Sequence, residues 1–110
     1  MQRGEVWWAD LPPGKPHPVL LLSWDAHGTW REQVTVAQIT STERRTDAEV
    51  RIGKRDGMTK TCWVNLDGIT TIRRRLLESH ICTLSRDRMA EIERAAHLSL
   101  GMPIPCEVSA

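Results

Sequence analysis

Ser85-Arg86-Asp87-Arg88-Met89-Ala90-Glu91-Ile92-Glu93-Arg94-Ala95-Ala96-His97-Leu98-Ser99-Leu100-Gly101 is the segment whose periodicity decides the fold reading. Ser85 is an N-cap residue type, and Leu84 before it and Met89 after it are spaced to form a hydrophobic staple. Met89, Ile92, Ala96 and Leu100 fall on one helical stripe, while Arg88, Glu91 and Arg94 point elsewhere. Gly101 stands where a helix ends and Pro103 blocks continuation. The spacing predicts a helix over about 86–100, followed by a tail over 102–110.

Everything before this helix reads as strands. Pro18-Val19-Leu20-Leu21-Leu22 is a continuous apolar run of strand length, expected to be covered on both faces. Arg3 to Ala9, around Val6-Trp7-Trp8, is a first strand, closed by the stiff turn Pro12-Pro13-Gly14-Lys15-Pro16. Gln33 to Ile39 alternates and forms a third strand after a polar loop from Asp25 to Glu32. Ala48 to Ile52 is half-exposed, and Asp56-Gly57 is a turn signal. Thr61 to Leu66 is a further strand, ended by Asp67-Gly68; Ile69 to Arg73 and His80-Ile81-Cys82 complete the series. Several short strands with one terminal helix predict a mostly β fold, a small curled sheet or barrel with the helix packed on it.

The chain has 110 residues, enough for one domain over 1–110 but not for two independent cores. Its formal charge of +1 says little about partners. Cys62, Cys82 and Cys106 are odd in number and lack C-x-x-C spacing, which suits reduced thiols in the cytoplasm. No signal peptide is read at the start, and no apolar run approaches the roughly 18 residues that span a membrane. Five Trp stand beside no Tyr and no Phe, and at least two of them are expected in the core.

His17, His27, His80 and His97 never meet a Cys, Asp or His at a recognised metal-ligand spacing, so neither metal nor cofactor is expected. P-loop, Rossmann and G-x-S-x-G patterns are also missing. Two local groups carry possible chemistry. Lys15-Pro16-His17-Pro18 holds a basic pair between prolines, on a rigid base at the entrance to the buried strand. Thr40-Ser41-Thr42-Glu43-Arg44-Arg45 sets hydroxyls beside guanidinium groups at the exit of a strand. That pairing suits a phosphodiester, and equally an ordinary solvated loop.

Arg3-Gly4-Glu5-Val6-Trp7-Trp8-Ala9-Asp10-Leu11 is similar to R-G-D/E-φ-W-W-φ-D-L, the opening strand of the MazF/PemK toxins, and four further segments resemble the same family. Pro18-Val19-Leu20-Leu21-Leu22-Ser23 with Asp25 resembles R-P-V-L-V-V-S-N-D, and Val36-Ala37-Gln38-Ile39-Thr40-Ser41 resembles V-A-P-I-T-S. Val64-Asn65-Leu66-Asp67-Gly68-Ile69 is similar to V-L-L-D-Q-I, and Leu84 to Gly101 to a helix opening L-S-x-x-x-M and closing in L-G. Together they cover nearly the whole chain in order and spacing.

The resemblance implies an SH3-like small β-barrel of the CcdB/PemK toxin type with a C-terminal helix. It also implies a homodimer, and an endoribonuclease that cleaves single-stranded RNA without metal and is countered by a cognate antitoxin with a disordered acidic tail. In such a reaction the RNA's own 2′-OH attacks, so the protein need only move protons and stabilise the charge on the phosphorane. Cleavage leaves a 2′,3′-cyclic phosphate and a 5′-hydroxyl.

Carried over residue by residue, Thr40 matches the family's active-site Ser/Thr, and Ser41 is its neighbour. The family's catalytic Arg, in R-P-V, is replaced by His17. Three alternatives follow: His17 acts in its place, Lys15 supplies the positive charge, or the site is degraded and leaves an RNA binder or an inactive homologue. A further departure is Gly68 where the family carries Gln, which removes a side-chain amide. Arg44 and Arg45 are candidate phosphate contacts, and Trp24 and Trp30 bracket a loop that in the family lies near the RNA groove. Trp7, Trp8 and Trp63 read as core or dimer-interface residues. Beside the toxin reading stand a same-fold, non-catalytic toxin acting on a protein and an RNA-binding module.

Overall fold

The apolar runs become strands β1 (Glu5–Ala9), β2 (His17–Leu21), β3 (Gln33–Thr40), β4 (Glu49–Ile52), β5 (Cys62–Arg73) and β6 (Leu77–Thr83), followed by helix α1 (Arg86–Leu100). This computed structural model describes residues 2–23 and 32–104. Short 3-10 turns lie at Lys54–Asp56 and Arg74–Leu76. All strand pairs are antiparallel, in the order β4-β5-β3-β2-β1-β6.

The continuous run in β2 behaves as its composition predicts. Val19, Leu20 and Leu21 are nearly inaccessible because the two faces of β2 feed two different apolar clusters. Leu20 joins Val6, Ala37, Ile39, Val50, Ile52, Val64, Leu66, Cys82 and Ile92 in the larger cluster. Val19 and Leu21 join Ala9, Val34 and Val36 in the smaller one, flanked by Trp7, Leu11, Ile72 and Leu77. Two-sided burial is the usual reason for an unbroken apolar strand.

Edge strands β4 and β6 contribute to the same larger cluster, so the sheet curls, but no ladder joins them. The turn after β4 packs against β6 and α1 instead. Gly57, with φ +99°, lies so close to β6 that a Cβ there would come within 2.6 Å of Cys82 Cβ. Only glycine combines that backbone with that approach. Beside it, the Asp56 carboxylate accepts from Arg88 Nε at 2.9 Å and from the Gly53 N–H at 2.9 Å. Burial would push the Asp56 carboxyl up, but these hydrogen bonds outweigh it and hold it below its ordinary value.

Three local expectations are corrected. Asp67-Gly68 does not end a strand: β5 runs on to Arg73, because the turn signal is absorbed as a bulge. Between Ala37 and Gln38 the β3 partner jumps from Ile69 to Asn65, so Leu66, Asp67 and Gly68 arch out of that ladder. Asn65 Oδ1 accepts from the Asp67 N–H at 3.0 Å and fixes the arch.

In α1 the buried stripe centres on Ile92 and Ala95, and Leu100 is exposed. The place expected for Leu100 is taken by Ser99, which donates to the Leu66 carbonyl at 2.9 Å. Arg88, expected to point away, instead reaches Asp56. Ser85 caps the helix as read, accepting from the Arg88 N–H at 3.1 Å, and Gly101 closes it. Among the described residues, no helix is long and apolar enough to cross a membrane.

Candidate active site

Sheet pairing brings the two chemical groups of the sequence to one place. The β2–β3 register couples Val19 with Gln38, and two residues further along each strand stand His17 and Thr40. Both line a groove of about 360 Å³ with Trp8, Pro18, Ser41, Thr59 and Lys60. The floor is the end of the larger apolar cluster, formed by the buried Ile39 and Cys62 with the partly buried Met58 and Ile81 packed against that cluster. A polar rim therefore sits on an apolar base.

Thr40 is pre-set for donation. Its Oγ1 accepts from the Thr42 N–H at 3.1 Å, which uses a lone pair and leaves the hydroxyl hydrogen to donate. Across the sheet Thr40 pairs with Trp63 of β5, so its backbone is held by the ladder while its side chain stays half-buried. His17 is exposed at the first position of β2, opposite Ala9. Pro16 and Pro18 flank it and restrict the backbone there.

Lys60 is the groove residue that reading the sequence missed. It follows the Gly57 turn, which lies against Cys82 of β6, and Met58, Thr59 and Lys60 after that turn all line the groove. Burial pushes the Cys62 thiol above its ordinary value while the nearby Lys60 charge pulls it down. The net rise keeps Cys62 a protonated part of the floor rather than a nucleophile. The only signal for Lys60 in the sequence is its position just after a tight turn.

Other expected residues are placed differently. Lys15 is exposed in the β1–β2 turn and is not part of the groove lining. Arg44 and Arg45 are exposed on a loop folded over Glu49. Its carboxylate accepts from the Arg44 N–H at 3.0 Å and from the Arg45 N–H at 2.8 Å. Neither side chain lines the groove. Trp24 and Trp30 lie outside the described residues. Trp8, read as a core or dimer-interface residue, is not in the core of the chain: it is 41% exposed on the groove wall. Trp7 and Trp8 face opposite sides of β1, and the smaller cluster receives only Trp7. Among the described residues, no three His, Cys, Asp or Glu side chains gather as a metal site requires.

Comparison with known proteins agrees with this architecture. The family described as PemK-like, MazF-like toxin of type II toxin–antitoxin system matches residues 2–100. A probable endoribonuclease MazF2 of Mycobacterium tuberculosis is 32% identical over 102 residues, covering 92% of this chain and 99% of the relative. An endoribonuclease solved with its cognate antitoxin, from a mycobacterial species, superposes with a TM-score of 0.84 at 30% identity. That match covers 96% of this chain and 99% of the other. The Mycobacterium tuberculosis toxin MazF-mt6 gives 0.83 at 26% identity, over 91% and 99% of the two chains. With a continuous match from the first strand to the end of α1, the chain belongs to the PemK-like, MazF-like toxins of type II toxin–antitoxin systems.

Proposed function

We propose that this chain is the toxin of a toxin–antitoxin pair, a cytoplasmic endoribonuclease that cuts single-stranded RNA as a homodimer and is neutralised by a cognate antitoxin. One observation carries the reading: Thr40, His17 and Lys60, from three separate parts of the chain, line one groove.

Each group has a task in transesterification. His17 takes the proton of the 2′-OH as its oxygen attacks phosphorus. The Thr40 hydroxyl donates to a non-bridging oxygen, and the Lys60 ammonium offsets the charge that builds on the phosphorane. The P–O5′ bond then breaks, the 5′ oxygen takes a proton from a solvent water, the His17 imidazolium returns its proton to the solvent, and a 2′,3′-cyclic phosphate remains. Lys15 stands outside the lining, so the cation assigned here is Lys60. Ser41 extends the hydroxyl row. Arg44 and Arg45 are exposed nearby as screened attraction for phosphates further along the strand, with Trp24 and Trp30 kept as candidate stacking residues.

The test is incubation of purified protein with a mixed-sequence single-stranded RNA in EDTA, followed by mapping of product ends. Cutting that leaves 5′-hydroxyl ends, lost in Thr40→Ala, is expected. RNA left intact by the wild type sinks the reading. It would support the same-fold, non-catalytic alternative, which His17 in place of the family's Arg favours.

A further inference from the structure

Beyond the catalytic groove lies a second one of about 400 Å³, lined by Leu11, Pro12, Pro13, Val19, Gln38, Thr70 and Ile72. It is the open end of the smaller apolar cluster, with which it shares Leu11, Val19 and Ile72. His17, Pro18 and Ile39 line both grooves, so the two are continuous across the ends of β2 and β3.

The side-chain amide in this largely apolar setting is that of the exposed Gln38, with the Thr70 hydroxyl and His17 as the other polar groups of the lining. Its placement depends on a glycine. A Cβ on Gly68 would stand 3.3 Å from Gln38 Oε1, 3.4 Å from Gln38 Cβ and 3.1 Å from Asn65 Nδ2. Gln38 on β3 therefore leans over the space a side chain at position 68 of β5 would fill. The family motifs carry Pro at the position of Gln38 and Gln at that of Gly68. In this chain the amide stands on β3 instead, and the glycine on β5 leaves room for it.

We propose that this second groove is a nucleobase subsite and that Gln38 is its specificity-determining residue. Resting on the proposed ribonuclease reading, the subsite holds an unpaired base of the nucleotide adjoining the phosphate at Thr40 and His17. Apolar walls suit the faces of a base. A side-chain amide supplies one acceptor beside donors, which matches the adjacent donor and acceptor on a base edge. No lysine or arginine lines this groove, and its one basic residue, His17, is shared with the first groove, so it suits a base rather than a second phosphate.

The test uses a randomised single-stranded RNA pool, with cut ends sequenced for wild type, Gln38→Ala, Gln38→Glu and Gly68→Ala. Gln38→Ala is expected to keep cutting while base preference at one position beside the cut falls roughly tenfold. Gln38→Glu keeps the length but loses the amide donors, so preference at that same position should change rather than vanish. Gly68→Ala displaces the amide and should act at that position too. A wild type that leaves the pool intact overturns the ribonuclease reading and the subsite with it. A wild type that cuts, with all three variants showing its base profile, overturns the subsite alone. Thermal melting of each variant separates loss of fold from loss of selectivity. A uniform drop in cutting with an unchanged profile also counts against the subsite.

Discussion

His17 stands where the family motif has arginine, and the proposed mechanism divides one guanidinium's work between two residues of the groove. An arginine cannot give up its proton near neutral pH, whereas an imidazole can. Charge must then come from elsewhere, and Lys60 lines the same groove. Lys60→Ala is expected to slow RNA cutting by about 10²-fold, with partial recovery in Lys60→Arg, whereas Lys15→Ala stays near wild type at moderate salt. Single-turnover rates on one RNA substrate check this; equal losses in Lys60→Ala and Lys15→Ala would refute the assignment. A second residue-scale expectation concerns Asp56, 8% exposed and paired with Arg88. Its carboxyl is held below the ordinary value despite burial, because hydrogen bonds from Arg88 and Gly53 favour the charged form. The stabilisation is therefore present above the unfolded pKa of about 3.9 and is lost as pH falls through the lower folded value. Asp56→Asn should cost about 2 kcal/mol at pH 7 and flatten the acid limb of stability against pH, measured by denaturant unfolding.

Helix α1 and the turn after β4 show how single positions hold an element in place. Ser85→Ala removes the acceptor for the Arg88 N–H and should cost about 1 kcal/mol in the same unfolding assay. Gly57→Ala is a harsher change, since its Cβ meets Cys82 and its φ suits glycine. A loss of about 3 kcal/mol is expected, together with weaker RNA cutting, because Lys60 is carried by the same segment. A Gly57→Ala protein with wild-type melting would show that the turn does not need this approach. Elements were legible wherever local chemistry set them: the cap at Ser85, the stop at Gly101 and the apolar run of β2. They were misread where a distant partner intervened. Asp67-Gly68 looks like an end by local turn chemistry, yet β4 on one side and β3 beyond the arch hold β5 together. Leu100 fits a stripe drawn through Met89, but the sheet meets the helix on the face of Ile92, Ala95 and Ser99.

At the scale of the whole molecule, the chain leaves apolar groups uncovered. Leu98, Leu100, Met102 and Ile104, at the end of α1 and just beyond, are each more than a third exposed, as is Trp8. Scattered exposed apolar residues are ordinary, but a run of them at one end of an element favours association. Light scattering of the purified protein is expected to give about twice the 12.5 kDa chain mass; a monomer at micromolar concentration would count against the proposed homodimer. The sequence by itself determined most of the strand series, the terminal helix, the family resemblance and the choice of Thr40 and His17 as candidates, because short-range periodicity and motif spacing carry that information. Tertiary structure decided that Thr40 and His17 share one groove, that Lys60 rather than Lys15 lines it, and that Gln38 fills the space over Gly68. Those facts depend on register between strands and on close approach of distant segments. Residues far apart in the chain write them jointly, so no local stretch shows them.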